Sequence, residues 1–212
     1  MTRAEATRER ILFGAEEVVL RDGVAHLTLE AAASEAGISK GGILYHFPTR
    51  AALIAAMVER LSSRFDEDLA TKGAGSGRPG AFTRAYLEAT FAPSGDVEGS
   101  RERRLGAAVI AGVAADTELL EPLRERFAAW QQALVSDGLP PANASLIRLA
   151  ADGLWFAELF SLAPLDEHLR SAVHAELLAH LGSCLDQRTS PGAPKAGDKP
   201  RSARQVGDKG RS

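Results

Sequence analysis

Between Thr28 and Pro48 the chain is punctuated so closely that one local structure fits it best. Thr28 is an N-cap residue ahead of a short stretch, residues 29–36, that gathers Leu29, Ala32, Ala33 and Ala36 on one side. Gly37 and Ile38 follow, and Ser39 is a second N-cap ahead of residues 40–46. Pro48 disfavours helical geometry at Phe47 and stops that second stretch. A longer helix over residues 3–21 precedes both, with Ile11, Leu12, Ala15, Val18 and Val19 on its apolar stripe and Asp22-Gly23 at its end. Two short helices joined by a glycine bend and packed on a longer one make a helix-turn-helix.

The facing of the second short helix follows from its spacing. Ile43 and Phe47 lie four apart and share a buried side with Ile38. Lys40, Gly41, Leu44, Tyr45 and His46 are left on the outer arc. A helix of this kind enters a DNA major groove with its N-terminal end toward the bases. Gly41 and Gly42 allow close approach, Lys40 supplies charge, and Tyr45 and His46 supply hydrogen bonds and flat apolar surface. The chain therefore reads as a DNA-binding regulator. The rival readings are a helical enzyme with a fortuitous pattern, or a DNA binder without an effector.

The rest of the chain has no sustained two-residue alternation, so the fold class is all-α. Thr49 caps a fourth helix through about residue 69. The stretch KGAGSGRPG, residues 72–80, matches G-x-G-x-x-G at Gly75, Gly77 and Gly80, but no strand precedes it, and it reads as a flexible connection. Helices are expected near residues 81–91, 101–115, 118–136, 142–161 and 166–185, with Pro122 delaying the third to about residue 121. From Arg188 onward seven basic residues face two acidic ones, a net +5 that leaves −8 on the remainder. That tail is Pro, Gly, Ser and charge, and is expected to be disordered.

Other chemistries find little footing. No apolar run is long enough to span a bilayer, and the N-terminus lacks a secretion signal, which together point to the cytoplasm. The single cysteine, Cys184, excludes an internal disulfide and reads as an ordinary thiol. His168, His174 and His180 recur every six residues and diverge around a helix, so no metal is expected. Neither a catalytic motif nor a cofactor motif with the right context is present, so the chain is not expected to be an enzyme.

On Ile11-Leu12, Asp22-Gly23, Thr28, Ala36-Gly37-Ile38-Ser39-Lys40-Gly41, Leu44-Tyr45-His46-Phe47-Pro48 and Ala52-Leu53, the sequence resembles the TetR family of bacterial regulators. Ala151-Asp152-Gly153-Leu154-Trp155 looks like that family's penultimate helix. The resemblance implies a homodimer with a four-helix interface, a small-molecule pocket, and repression of a double-stranded DNA operator relieved by ligand. It adds Arg50 as a phosphate contact at the start of the fourth helix, and Thr28 as another. Many members carry Thr where this chain has Gly42 and Tyr where it has Leu44, which shifts weight to Lys40, Tyr45 and His46.

The implied organisation is a DNA-binding domain over 1–48, a connecting helix over 49–72 and a flexible linker over 73–80. A helical effector-binding and dimerisation domain over 81–187 and a basic tail over 188–212 complete it. Residues 142–161 are apolar nearly all round, so a second subunit is the expected cover. Leu149, Leu154, Phe160, Leu169, Val173, Leu177 and Leu181 are the candidate interface. Phe65, Phe82, Tyr86, Phe91, Trp130, Trp155 and Phe156 are the candidate pocket lining, with Arg104, Asp152 and Glu158 as polar anchors.

Overall fold

The computed structural model describes residues 2–92, 97–113 and 119–189. The expected disordered tail lies outside them, apart from residues 188 and 189, which end the last helix. The described chain is helical, in the order α1 (Arg3–Asp22), a 3-10 turn (Val24–His26), α2 (Leu29–Ala36), α3 (Lys40–His46), α4 (Arg50–Thr71), α5 (Ala81–Thr90), α6 (Val97–Val113), α7 (Glu121–Val135), α8 (Pro141–Leu159) and α9 (Glu167–Thr189). Among the described residues, no helix is long and apolar enough to cross a membrane.

Local chemistry sets the first boundaries. The hydroxyls of Thr28, Ser39 and Thr49 accept from the backbone N–H groups of Ala31 (3.0 Å), Gly42 (3.2 Å) and Ala52 (3.0 Å), one cap for each of α2, α3 and α4. Gly37 closes α2 in the left-handed conformation, φ 63°, and the Ile38 N–H returns 2.8 Å to the Ala33 carbonyl. The bend between α2 and α3 is thus fixed by backbone hydrogen bonds and by a residue that tolerates positive φ.

Two cores result. Ile11, Leu12, Val18, Leu27, Ala32, Ile43, Phe47, Leu53 and Met57 make the first, joined by Leu105 and Val109 of α6. Leu69, Tyr86, Leu87, Trp130, Leu134, Ile147, Ala151, Leu154 and Leu181 make the second. Helix α4 runs from one into the other, and α6 lies against the first. At its far end α6 meets the 3-10 turn so closely that a Cβ on Gly112 would stand 2.4 Å from Cβ of Val24.

Three expectations change here. Residues 73–80 form an ordered corner: the Gly80 N–H donates to the Asp137 carbonyl (2.7 Å), and a Cβ on Gly80 would stand 2.8 Å from the Leu185 side chain. Leu154 and Leu181, expected at a subunit interface, are buried within the subunit at 7% and 0% exposure. The unit over 1–48 has no packing boundary of its own, because α4 and α6 complete its core.

The tightest helix contact sets a test. A Cβ on Gly14 of α1 would lie 2.9 Å from the Ala36 nitrogen and 3.1 Å from the Ala32 oxygen, both backbone atoms of α2. Alanine gains about 1 kcal/mol over glycine within a helix, whereas overpacking a rigid contact costs about 1–3 kcal/mol. The contact term wins, and Gly14→Ala is expected to lower the unfolding free energy in urea by about 1–2 kcal/mol.

Candidate nucleic-acid interface and interior cavity

Helix α3 presents two unlike sides. Ile43 and Phe47 are buried in the first core at 1% and 3% exposure, while Tyr45 is 81% exposed and Leu44 42%. Ser39, Lys40 and Gly41 are also exposed, and His46 and Gly42 are half-buried. Tyr45 and His46 meet edge to face at 5.0 Å, so the two rings form one projecting ridge. The Lys40 ammonium stands 3.2 Å from the Glu30 carboxylate on α2, with both side chains largely in water. An exposed ion pair of this sort is weak, so a phosphate can displace Glu30 at little cost.

Three neighbours refine the picture. Arg50, expected to reach a phosphate, is turned inward: its Nε donates to the Leu27 carbonyl (2.7 Å) and its Nη2 to the Val24 carbonyl (2.8 Å). These bonds satisfy carbonyls just ahead of α2, so Arg50 positions the reading unit rather than projecting from it. Gly42 does more than omit a hydroxyl. A Cβ there would stand 2.7 Å from Cγ2 of Ile38, and the glycine is what lets Ile38 close the bend. Arg8 of α1, absent from the expected set, lies 5.4 Å from the Phe47 ring centre and adds positive charge beside α3. Its only sequence signal is the run of arginines at 3, 8 and 10.

The second site is a partly open cavity of about 310 Å³ between the two cores, with walls from α4, α5, α6, α7 and α8. Phe65, Tyr86, Trp130, Asp152, Trp155 and Glu158 line it. Phe65 meets Tyr86 at 5.3 Å and Trp130 at 5.0 Å, both edge to face. The Trp130 Nε1 donates to Asp66 (2.7 Å), which fixes the indole. Tyr86 donates its hydroxyl to Asp152 Oδ1 (2.6 Å), and Arg148 stands 3.1 Å from Oδ2. Burial raises the Asp152 carboxyl above its usual range, against the Tyr86 hydrogen bond and the Arg148 charge. Burial and the neighbouring Asp152 charge push the Tyr86 phenol up as well. The Glu158 carboxylate takes a 2.7 Å bond from Arg170, whose Nη1 also donates to the Phe91 carbonyl.

Four expected lining residues lie elsewhere. Phe91 is buried and stacked on His174 at 4.6 Å, and Phe82 packs against the second core. Arg104 is exposed on α6, and Phe156 is 48% exposed beside Phe160. Periodicity placed these residues on helices, but the cavity wall is set by which neighbour covers each face. Ser62, Arg64, Asp68 and Glu102 line the cavity without having been anticipated.

Side by side, α3 bears a groove-sized ridge while α4 and α6 reach both the first core and the cavity wall. Gly41 and Gly42 separate folding demands from surface demands. A Cβ on Gly41 meets open space, so Gly41→Ala is expected to raise stability by about 0.5–1 kcal/mol. Gly42→Ala must displace the stiff Ile38 side chain and should lower it by about 1 kcal/mol. Thermal unfolding of the two variants checks the opposite signs.

Comparison with known proteins fits this division. Residues 11–57 match a family model described as bacterial regulatory proteins, tetR family, and residues 80–182 match one described as tetracyclin repressor-like, C-terminal domain. The chain is 36% identical over 63 residues to the HTH-type transcriptional regulator TtgR of Pseudomonas putida, covering 30% of each chain. It is 39% identical over 69 residues to the HTH-type transcriptional repressor BepR of Brucella suis, covering 32% of each. These matches span about a third of the curated relatives' length. A crystal structure of the multidrug binding protein EbrR complexed with ethidium superimposes with a TM-score of 0.63 at 24% identity, over 81% of this chain and 97% of that one.

Proposed function

The chain belongs to the TetR family of DNA-binding transcriptional regulators, and from that premise we propose that it is a cytoplasmic repressor that binds a palindromic operator as a homodimer and releases it on binding a small molecule. The observation that carries the reading is the α3 ridge: Tyr45 stands 81% exposed on a helix whose other side is locked into the core. Lys40, Gly41, Leu44, Tyr45 and His46 face the groove, while Thr28 and Ser39 cap the helices that hold them there. In the bound dimer the two α3 helices sit about 34–36 Å apart, one turn of duplex. A repressor seated over a promoter excludes polymerase.

Support for the dimer comes from α8. Leu146 and Leu149 are 59% and 58% exposed, and Phe156 is 48% exposed. Together with Gly153 they recur at three- and four-residue intervals, the seam along which a second helix packs. Gly153 has nothing within 4 Å of its Cβ direction, so a partner helix can come close there. On α9, Leu169 is 47% exposed and Val173 and Leu177 are half-buried, which widens the same apolar surface.

Support for ligand control is the cavity, whose α4 and α6 walls continue into the core beneath α1. The multidrug binding protein EbrR, of similar fold, holds ethidium. A ligand shifts the spacing of the α3 helices only by binding one arrangement better than the other.

Two experiments test this. DNA fragments retained by the purified protein should converge on an inverted repeat, bound about a thousandfold more tightly than random duplex at fixed salt. Tyr45→Ala should remove that preference while shifting unfolding by no more than about 0.5 kcal/mol. Separately, Leu149→Arg should weaken self-association about thirtyfold or more in sedimentation equilibrium. Random duplex bound as well as selected duplex, or an unchanged dimer constant, would overturn the respective half of the proposal.

A further inference from the structure

Resting on the reading of α3 as the helix that meets DNA, we infer that Lys40 and Glu30 act as one unit that selects a G·C base pair in each half of the operator. Lys40 donates to the guanine and Glu30 accepts from the paired cytosine. Placement supplies the first argument. Lys40 is the first residue of α3, and Glu30 lies in the first turn of α2. The N-terminal residues of a recognition helix meet base edges, while the preceding helix crosses the backbone beside them. The ammonium and the carboxylate stand 3.2 Å apart, and both side chains are largely exposed. A Cβ on the neighbouring Gly41 would meet open space, so no side chain at that position holds the duplex away.

Hydrogen-bonding chemistry supplies the second argument. An ammonium only donates, and a carboxylate only accepts. The Glu30 carboxyl is held below its usual range by its own backbone N–H and by Lys40, so it stays an acceptor. In the major groove guanine shows two adjacent acceptors, N7 and O6, and its paired cytosine shows the N4 amine. O6 and N4 are hydrogen-bonded to each other at about 2.9 Å, close to the spacing of the ion pair. An A·T pair sets its one amine between two separated acceptors, so Lys40 gains one acceptor there instead of two. The ion pair thus meets G·C intact. Elsewhere Lys40 turns to a phosphate and leaves the Glu30 carboxylate facing a negative backbone.

Charge supplies the third. Lys40 is the sole Lys or Arg between residues 28 and 46. Arg10 and Arg50 are bonded to backbone carbonyls, and Arg21 to Glu35 and Asp22. Residues 1–48 hold five Lys and Arg against seven Asp and Glu. Phosphate contacts strengthen binding to every sequence alike. A carboxylate beside the one ammonium of α3 weakens that shared part and leaves affinity to depend on the bases.

The test titrates the full-length protein with the selected duplex and with random duplex over a range of salt. Each half of the selected duplex is expected to hold a G·C pair whose replacement by A·T weakens wild-type binding about tenfold or more. Glu30→Ala should shrink that penalty to about threefold or less and weaken the selected duplex severalfold. The same variant should bind random duplex more tightly, with a salt slope steeper by about 0.9. Glu35→Ala, on the same helix but paired with Arg21, should leave the G·C penalty unchanged. Absence of such a G·C pair, a penalty that survives Glu30→Ala, or equal tightening of both duplexes overturns the inference. A wild-type protein with no preference for the selected duplex overturns the DNA-reading proposal itself, and this inference with it.

Discussion

One carboxylate nearly out of water, Glu16 at 1% exposure, ties the two halves of this molecule together. It belongs to α1, at the heart of the DNA-reading unit. Arg60 of α4 stands 3.3 Å from one of its oxygens and Arg101 of α6 stands 3.1 Å from the other. Arg101 also reaches Glu17 at 2.7 Å and lies 5.2 Å from the Phe13 ring centre. Stripping one partner from a buried charge costs about 3–5 kcal/mol, although the intact pair contributes far less than that to stability. The network thus adds little to stability but penalises any arrangement in which α1, α4 and α6 part company.

That penalty matters because of what adjoins it. Leu61 follows Arg60 and Glu102 follows Arg101, and both line the cavity. Arg64 and Glu102 form a further bridge between α4 and α6 at the cavity wall. A ligand that changes the spacing of α4 and α6 acts within one residue of the groups gripping Glu16. One buried ion cluster thus lies beside the cavity wall and on α1, the helix against which α2 packs.

The local punctuation of the reading unit was legible in the sequence because its causes are local. Thr28, Ser39 and Thr49 cap helices wherever they precede them, Gly37 adopts positive φ at little cost, and Pro48 restrains Phe47 whatever surrounds it. The inward turn of Ile43 and Phe47 followed from spacing alone. What spacing cannot give is the identity of the covering element. Leu181 and Leu169 recur on one apolar pattern, yet Leu181 is enclosed by its own subunit and Leu169 is open. Phe91 and Phe65 were equivalent candidates until packing put a histidine over one and the cavity beside the other. Arg50 differs for a similar reason: a basic residue at a helix start suits a phosphate, but the carbonyls of Val24 and Leu27 lie closer. The glycines of residues 73–80 looked like slack, and their positive φ values, at Gly73, Gly77 and Gly80, turn out to shape a corner anchored to Asp137.

The missing side chain at Gly112 has a mechanical meaning. Where most helix pairs are cushioned by interlocking side chains, the backbone of α6 rests directly on Val24, and Arg50 grips the carbonyl of that same residue from beneath. A cushioned contact absorbs small displacements through rotamer changes, whereas bare backbone against a β-branched side chain has no such compliance. A slide of α6 toward α1 therefore presses first on the turn that leads into α2.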